Sequence, residues 1–483
     1  MFVDAAINEM NLPNYFLADQ PTDAQLNAAL VMDACYTLKR NREKHLTNRT
    51  TQSMVTLLSH VAKEWLEPEN PFRKLALELG PNATGFSRQT LARGLDDFFK
   101  VLTPENFNSL LEQDLGESTR LDGFAPNGSR GAAMVNAPEL LAHIAAGNIP
   151  NPTLLSIVLG LLLRSAQFVK CASGSALLPR LFGHSLYEAD GKVGSCLEIA
   201  EWKSGEPRKN SGTPIRADVL EPIAKRNQEL LKALFEQADC VTATGSDEAL
   251  GTIRRLAPVR KRFISHGHRV SFAYIAGKML ETATRQETLQ RAADDVVAWD
   301  QLGCLSPHAI YVETGAGLSA LQFAELFAAE LERREQIEPR GNVPVEISAT
   351  IASRRSFYEI RAARCEDPHE TRIWQSSNST AWTVLYEQDP IFQLSCLHRF
   401  IYVKEVKDLA ETLRNVDSVH GQVSTVGLAA APDEVFKSLA SDLARWGVTR
   451  ICPLGQMQKP PLTWRHDGRP PLGELVTWTD LEI

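Results

Sequence analysis

The sequence has no CxxC pair and no Cys/His spacing of the zinc-site kind. Its eight cysteines are scattered from Cys35 to Cys452. That excludes a dense disulfide framework and leads us to expect free thiols in a reducing cytoplasm. The nearest approach to a metal pair is His266-Gly267-His268, with no matching Cys, Asp or second His cluster in sequence, so no metal is expected. The first 14 residues carry Asp4 and Glu9 and lack a basic stretch leading into an apolar run; no signal peptide is expected. The longest apolar run lies within 153–163 and is closed by Arg164. A membrane span needs about 20 residues, so this run reads as a buried helix. No GxGxxG occurs, which removes the ordinary dinucleotide fingerprint. With a net charge of −8 there is no basic excess, and no general nucleic-acid or membrane-surface binding is expected. Internal repeats and low-complexity tracts are also missing.

What is present fits a globular protein. At 483 residues the chain exceeds one simple core and suggests two or three domains. Residues 1–110 read as helical, with apolar residues at helical spacing in 24–40, 51–65 and 90–101. Glycine and polar residues over 116–131 mark a loop. From about residue 132 short apolar strands alternate with helices: strand 140–145, the turn Gly147-Asn148-Ile149-Pro150-Asn151-Pro152, helix 153–164, strand 167–170, strand 238–244, the turn Gly245-Ser246, a helix to Leu256, and strand 263–265. Helices are expected at 271–281, 287–295, 318–336, 345–361 and 407–415, and a strand at 309–313. Strand, glycine turn and helix in repetition is the pattern of parallel α/β units, whose ligands bind at the carboxyl ends of strands. The segment 453–471 is rich in proline, glycine and basic residues, and 475–479 reads as an edge strand at an oligomer contact.

The chemistry is placed at Trp299-Asp300-Gln301-Leu302-Gly303-Cys304-Leu305-Ser306-Pro307. A glycine before the cysteine lets the backbone bend and present the sulfur. Small, polar neighbours leave room for a carbonyl, and a thiolate there is a strong nucleophile if backbone N–H groups or a cation lower its pKa. Taken alone, a free cysteine more often fills space in a core.

Together, Gly147-Asn148-Ile149-Pro150, Phe168-Val169-Lys170, Thr244-Gly245-Ser246 and Cys304 resemble the aldehyde dehydrogenase superfamily. Asp300 to Pro307, with the tail Gly455-Gln456-Met457-Gln458-Lys459-Pro460 and Trp464-Arg465-His466-Asp467-Gly468-Arg469, is similar to its acyl-CoA reductase branch, which includes the fatty-acid reductase component of bacterial bioluminescence. The resemblance covers roughly residues 130–480. It implies an α/β, aldehyde dehydrogenase-like fold: a helical lead-in (1–110) packed on a Rossmann-like NADP-binding domain (111–268), a catalytic thiol domain (269–440) and a C-terminal oligomerisation arm (441–483). It also implies roles. Cys304 attacks an acyl thioester. Asn148 and the Cys304 backbone N–H hold the oxyanion, each such donor contributing about 2.7–4 kcal/mol in other enzymes. Gly245 and Ser246 face the cofactor diphosphate, and Lys170 its adenosine ribose or a 2′-phosphate. The product is an aldehyde.

Two departures sharpen this. Where ordinary members carry Glu-Leu-Gly-Gly-Lys, this chain has Ser265-His266-Gly267-His268-Arg269. The carboxylate that activates water is missing, which favours reduction of thioesters over oxidation of aldehydes. Imidazole titrates near neutral pH, so His266 or His268 is a candidate acid/base; the plainer reading is a histidine that only packs in a turn. Second, Ser173 stands where NAD-preferring members place a Glu, so NADPH is expected. No counterpart of the Glu that meets the nicotinamide ribose is assigned near 397–400. The substrate is expected to be an acyl-CoA or acyl-protein thioester, with an acyl-protein synthetase as a candidate partner and a homo-oligomer as the assembled state. The alternatives are a reversible CoA-acylating dehydrogenase for short acyl groups, a cysteine thioester hydrolase using a base such as His308, and a non-catalytic partner of an acyl-transferring enzyme.

Overall fold

Two parallel sheets, each covered on both faces, carry the chain in the computed structural model, which describes residues 12–21, 26–127, 131–204, 217–315, 317–365 and 370–482, with backbone alone at 217–220. Most of the stretch on which the signal-peptide expectation rests, together with Gly128 and Ser129 of the expected loop, lies outside the described residues.

The N-terminal helices Ala28–His45, Thr51–Leu66, Pro71–Thr84, Arg88–Phe99 and Pro104–Leu115 come first. Most open on a side-chain cap; Ser87 Oγ, for example, accepts from Thr90 N at 3.1 Å, satisfying a donor the first turn leaves free. Strand β1 (Ala125–Pro126) follows, inside the stretch expected to be loop, and β2 (Gly131–Asn136) begins at its last residue.

The first large sheet contains β3 (Leu140–Ile144), β4 (Ala166–Cys171), β5 (Leu197–Glu201), β6 (Cys240–Thr244) and β7 (Arg262–His266). Its order is β5-β4-β3-β6-β7 and every pairing is parallel. The chain reverses direction across the sheet between β3 and β6, where an open α/β sheet leaves a crevice at its strand ends. One face packs Leu141, Val169 and Ile199 against the helical lead-in and the helices Asn151–Leu162 and Leu177–Ala189. The other packs Leu140, Phe168 and Val241 against the helices Ala28–His45 and Ala217–Gln237.

The second sheet contains β8 (Val270–Ile275), β9 (Ala309–Glu313), β10 (Thr371–Gln375), β11 (Thr383–Glu387), β12 (Phe400–Val406), β13 (Val423–Ala429) and β14 (Arg450–Pro453), in the order β10-β11-β12-β9-β8-β13-β14. Only β10 runs antiparallel to its neighbour. The helices Arg285–Val297 and Ala320–Ile337 cover one face, and Val345–Arg364 with Asp433–Trp446 the other. Because β14 belongs to this sheet, the second body extends past residue 440, the expected boundary. The last strand, β15 (Thr477–Glu482), pairs antiparallel with β2 and is exposed along its length.

The expected helix 271–281 is a correction. Its first half is β8, buried at every position, and only Gly277–Leu280 turns, as a short 3-10 helix. A strand buried on both faces shows no alternation, and a short apolar run does not distinguish strand from helix by periodicity.

Candidate active site

Cys304 sits in the loop between a short 3-10 turn, Ala298–Gln301, and β9. The loop is held from several directions. Ser271 Oγ on β8 donates to the Cys304 carbonyl at 2.8 Å. Gln301 Nε2 donates to Pro307 O at 2.7 Å and Phe400 O at 3.0 Å. Gln458 Nε2 donates to Ser306 Oγ at 2.5 Å. Gly303 has ordinary negative φ, so its need for glycine is clearance: an added Cβ would stand 2.6 Å from the Gln458 amide nitrogen. The turn preceding the cysteine is where the backbone is unusual, with Trp299, Asp300 and Gln301 all at positive φ.

The tail expected from the resemblance is anchored beneath this loop. Asp295 Oδ2 accepts from Gly455 N at 2.6 Å and its Oδ1 from Met457 N at 2.9 Å. Arg450 donates to Met457 O and Gln456 O at 2.6 and 2.8 Å. Gly455 has φ +86, a conformation glycine adopts without steric cost.

Asn148 lies in the loop after β3 and its Nδ2 donates to Leu302 O at 3.3 Å, which brings the expected oxyanion donor to the cysteine loop. A cavity of about 190 Å³ opens beside it, lined by Cys304, His143, Thr244, His266, Trp299, Gln458 and His466 on its polar side and by Phe98, Val101, Ile149, Leu155, Leu159 and Leu462 on its apolar side. Burial pushes the Cys304 thiol up to about 11; Asp467 adds to the rise, while its own backbone N–H, Arg269 and Arg450 oppose it.

His266 ends β7 and faces a cluster that sequence reasoning missed. His466 stacks on it with ring centroids 4.1 Å apart and planes 4° apart. His266 Nδ1 is 3.2 Å from Asp467 Oδ2 and 3.0 Å from Arg469 Nη2. Arg269 Nε donates to Asp467 Oδ1 at 2.9 Å. Burial raises the Asp467 carboxyl, but the hydrogen bond to His266, with His466 and Arg269, holds it far below its usual range. Burial brings His466 down to about 3, so its imidazole is neutral. Ligand atoms of His266, His466 and Asp467 lie within 4.8 Å of one another, but the guanidiniums on Asp467 stand against a cation and we assign no metal. The signal available in sequence was the run His466-Asp467-Gly468-Arg469, polar inside a proline-rich tail. His268 is exposed, and its backbone N donates to Asp247 Oδ1 at 3.1 Å; it does not line the cavity. His308 is buried with Nδ1 turned to Ser395 N and Oγ, both at 3.1 Å, brought down to about 4 by burial, and also lies off the cavity.

The groups expected to meet a nicotinamide dinucleotide all stand at the carboxyl edge of the first sheet. Lys170, near the end of β4, places Nζ 5.6 Å from the Trp202 ring centroid. Ser173 is exposed in the following loop. Gly245 N donates to His266 O at 3.2 Å, and Ser246 caps the helix Asp247–Leu256, its Oγ accepting from Ala249 N at 3.3 Å. An acid nevertheless stands beside Ser173. Glu201, at the end of β5, accepts from Gly174 N at 2.7 Å and Ala176 N at 3.2 Å. Position 173 was read alone, and the acid comes from the neighbouring strand. The donor set at these strand ends nonetheless fits a dinucleotide: a cation, a helix N-terminus and an uncharged loop.

The comparisons with known proteins agree with this architecture. A salicylaldehyde dehydrogenase from Pseudomonas putida G7 superposes with TM-score 0.65 at 14% identity, over 95% of this chain and 91% of its own. A NAD-dependent benzaldehyde dehydrogenase from Corynebacterium glutamicum gives 0.65 at 12%, over the same shares. The fold is that of the aldehyde dehydrogenases. Among curated sequences, a long-chain acyl-protein thioester reductase of Aliivibrio fischeri is 22% identical over all of this chain and 92% of its own length. One from Vibrio harveyi is 19% identical over 91% of this chain and 84% of its own. The family model for acyl-CoA reductase (LuxC) matches residues 46–478, and this enzyme chain therefore belongs to the acyl-CoA reductase (LuxC) family.

Proposed function

We propose that the protein reduces fatty acyl thioesters to aldehydes through an acyl-enzyme on Cys304, using NADPH. The observation that carries this reading is the joining of one thiol, the Asn148 amide and an apolar-walled cavity at a single loop, with no carboxylate in the stretch Ser265-His266-Gly267-His268-Arg269 where water-activating relatives carry one. The Cys304 sulfur forms a bond to the acyl carbon as the donor thiol departs. Asn148 Nδ2 and the Cys304 backbone N–H stabilise the oxyanion that forms in between. A reduced nicotinamide, held by Lys170, Ser173, Gly245 and Ser246, supplies hydride when bound. Without a carboxylate base, hydrolysis of the acyl-enzyme is slow. His266, which shares the cavity with Cys304, handles the protons.

Uncharged Ser173 and the Lys170 cation favour NADPH, while the Glu201 carboxylate bonded to the Ser173 loop acts against a 2′-phosphate. The acyl donor is a CoA or protein thioester; the printed names of the relatives favour acyl-protein, with an acyl-protein synthetase as candidate partner. Among the described residues no helix is long and apolar enough to cross a membrane, and we place the enzyme in the cytoplasm. The exposed edge of β15 is the surface we assign to homo-oligomer contact. A hydrolase using His308 is disfavoured, because that imidazole is committed to Ser395 away from the cavity.

The test mixes protein, NADPH and a long-chain acyl-CoA, and follows nicotinamide absorbance and trapped aldehyde against a Cys304→Ala control. Aldehyde formed by the natural protein alone supports the reading. Repeated turnover of thiol release, many thiols per enzyme with no cofactor consumed, would replace it with hydrolysis; a preference for short chains would favour the reversible CoA-acylating alternative.

A further inference from the structure

Trp299 opens the left-handed turn that leads to Cys304, and its ring is only 4% exposed. It packs against the N-terminal helical region. The Phe86 ring meets it edge-on, with centroids 5.1 Å apart and planes at 71°. Gly94, in the helix Arg88–Phe99, comes closer still: an added Cβ there would stand 2.5 Å from the indole Cη2 and 2.6 Å from Cε2. Carbon atoms in contact lie about 3.5–4.0 Å apart, so the ring occupies space that only glycine leaves free. Glycine is a poor residue for a helix interior, and clearance for Trp299 is what it provides here.

The ring also lines the cavity that holds Cys304, and its place along that cavity is fixed. Asn151, Leu155 and Leu159 line the same cavity from the helix Asn151–Leu162. Successive members are one turn apart, which lays them in a row about 12 Å long at 1.5 Å per residue. Gly94 O accepts from Asn151 Nδ2 at 3.4 Å. Asn148, in the loop just before, donates to Leu302 O beside Cys304. The Asn151 end of the row is therefore the end next to the sulfur, and Trp299 stands there. An acyl chain bonded to Cys304 and laid along the row would pass Trp299 with its first carbons and Leu159 with its later ones.

We propose that Trp299, seated on Gly94, is a specificity-determining residue that admits unbranched acyl groups and turns away those branched or ringed next to the carbonyl. Gly94 acts through Trp299, as a positioning residue. The inference rests on the reading that Cys304 takes up an acyl group, and deepens it. The backbone beneath the ring is held: Trp299, Asp300 and Gln301 form one left-handed turn, and Asp300 Oδ2 accepts from Gly341 N at 3.1 Å. An apolar wall discriminates by shape, because close-packed atoms leave no room for an extra carbon. The space open to a displaced indole is the cavity itself. Filling position 94 therefore pushes the ring toward the path of the chain, and removing the indole widens that path.

The test labels the protein with hexyl and with cyclohexyl methanethiosulfonate. Each forms a disulfide with the Cys304 sulfur and releases methanesulfinate. The first places a CH2 next to the new sulfur, the second a branched ring carbon. Rates at Cys304 are read from its peptide by mass spectrometry, and each is divided by the rate of the same reagent with glutathione. In the natural protein the hexyl reagent is expected to be favoured about tenfold or more. Trp299→Ala should lower that ratio several-fold, Trp299→Phe should fall between, and Gly94→Ala should raise it. A merely loosened fold would lower the ratio in every variant. Equal rates in the natural protein, read without any variant having to fold, would overturn the proposal. So would a hexyl reagent that never reaches Cys304, an unchanged ratio in Trp299→Ala, or a ratio in Gly94→Ala that fails to rise. The labelling uses neither acyl thioester nor nicotinamide. Its failure therefore sinks the wall alone, and a natural protein that tells the reagents apart but makes no aldehyde sinks the reductase reading alone.

Discussion

Asp300 and Arg399 bond to each other where two left-handed turns meet: Arg399 Nε donates to Asp300 Oδ1 at 2.9 Å, and both residues are nearly inaccessible, at 3% and 1%. Trp299, Asp300 and Gln301 have φ of 53, 49 and 64; Leu397, His398 and Arg399 have 59, 54 and 65. Each such non-glycine residue costs about 1–3 kcal/mol, so surrounding contacts must hold it. Arg399 supplies several, donating also to Glu338 O at 2.8 Å and Glu335 Oε2 at 2.9 Å. The turn fixed in this way leads directly to Cys304.

Asp300→Ala is therefore expected to cost about 1.5–3 kcal/mol, since buried Arg399 loses one charged hydrogen-bond partner and keeps Glu335 and Glu338 O. The Cys304 loop should loosen with it. Urea unfolding would report the first effect and aldehyde formation the second, with kcat lower and the KM for NADPH unchanged. A variant as stable and active as the natural protein would show that the pair does not set the loop.

How far this site was legible in the sequence follows from the same residues. Cys304, Asn148, Lys170 and Gly245-Ser246 stand in short motifs whose meaning is local, and the alternation of strands and helices gave their place at strand ends. The Asp300–Arg399 bond joins positions 99 residues apart; Asp300 stands in the cysteine motif, but nothing local marks Arg399 as its partner. His466, Asp467 and Arg469 reach His266 across 200 residues of chain; their polarity in a proline-rich tail was visible, their target was not. Glu201 was missed for a similar reason, because reading one loop at a time ignores the neighbouring strand. The strand β8 was misread as helix because burial on both faces erases the alternation that periodicity depends on.

Glu201→Gln should move cofactor choice toward NADPH. The carboxylate bonds to Gly174 N and Ala176 N, on either side of the loop that carries Ser173. Its charge opposes a 2′-phosphate, whereas a glutamine keeps an acceptor for one amide. The ratio of kcat/KM for NADPH over NADH is expected to rise several-fold, an effect of about 1 kcal/mol on the scale of a single screened charge pair. An unchanged ratio would mean that the phosphate position lies elsewhere.

Chain length should respond to the apolar wall. Leu155 and Leu159 face the cavity from the helix Asn151–Leu162, one turn apart. Leu159→Trp fills space that an acyl chain would occupy, and each methylene denied burial costs about 0.8 kcal/mol. Long-chain acyl-CoA should lose tenfold or more in kcat/KM while acetyl-CoA changes little. Equal losses for both would place the chain outside this cavity.

The acidity of Cys304 gives a pH test. Burial raises its pKa from 9.0 to about 11, and Arg269 acts in the opposite sense. The thiolate fraction of the free enzyme is then small at pH 8 and climbs about tenfold per unit until it levels near the pKa. Alkylation of Cys304 by iodoacetamide, followed by mass spectrometry, should trace that rise. Arg269→Gln removes a cation that favours the charged sulfur, so its curve should shift to higher pH and its rate at any fixed pH below the plateau should fall. A curve already flat at pH 8 would mean that the thiol ionises without help, and then the proton handling assigned to His266 has no work to do.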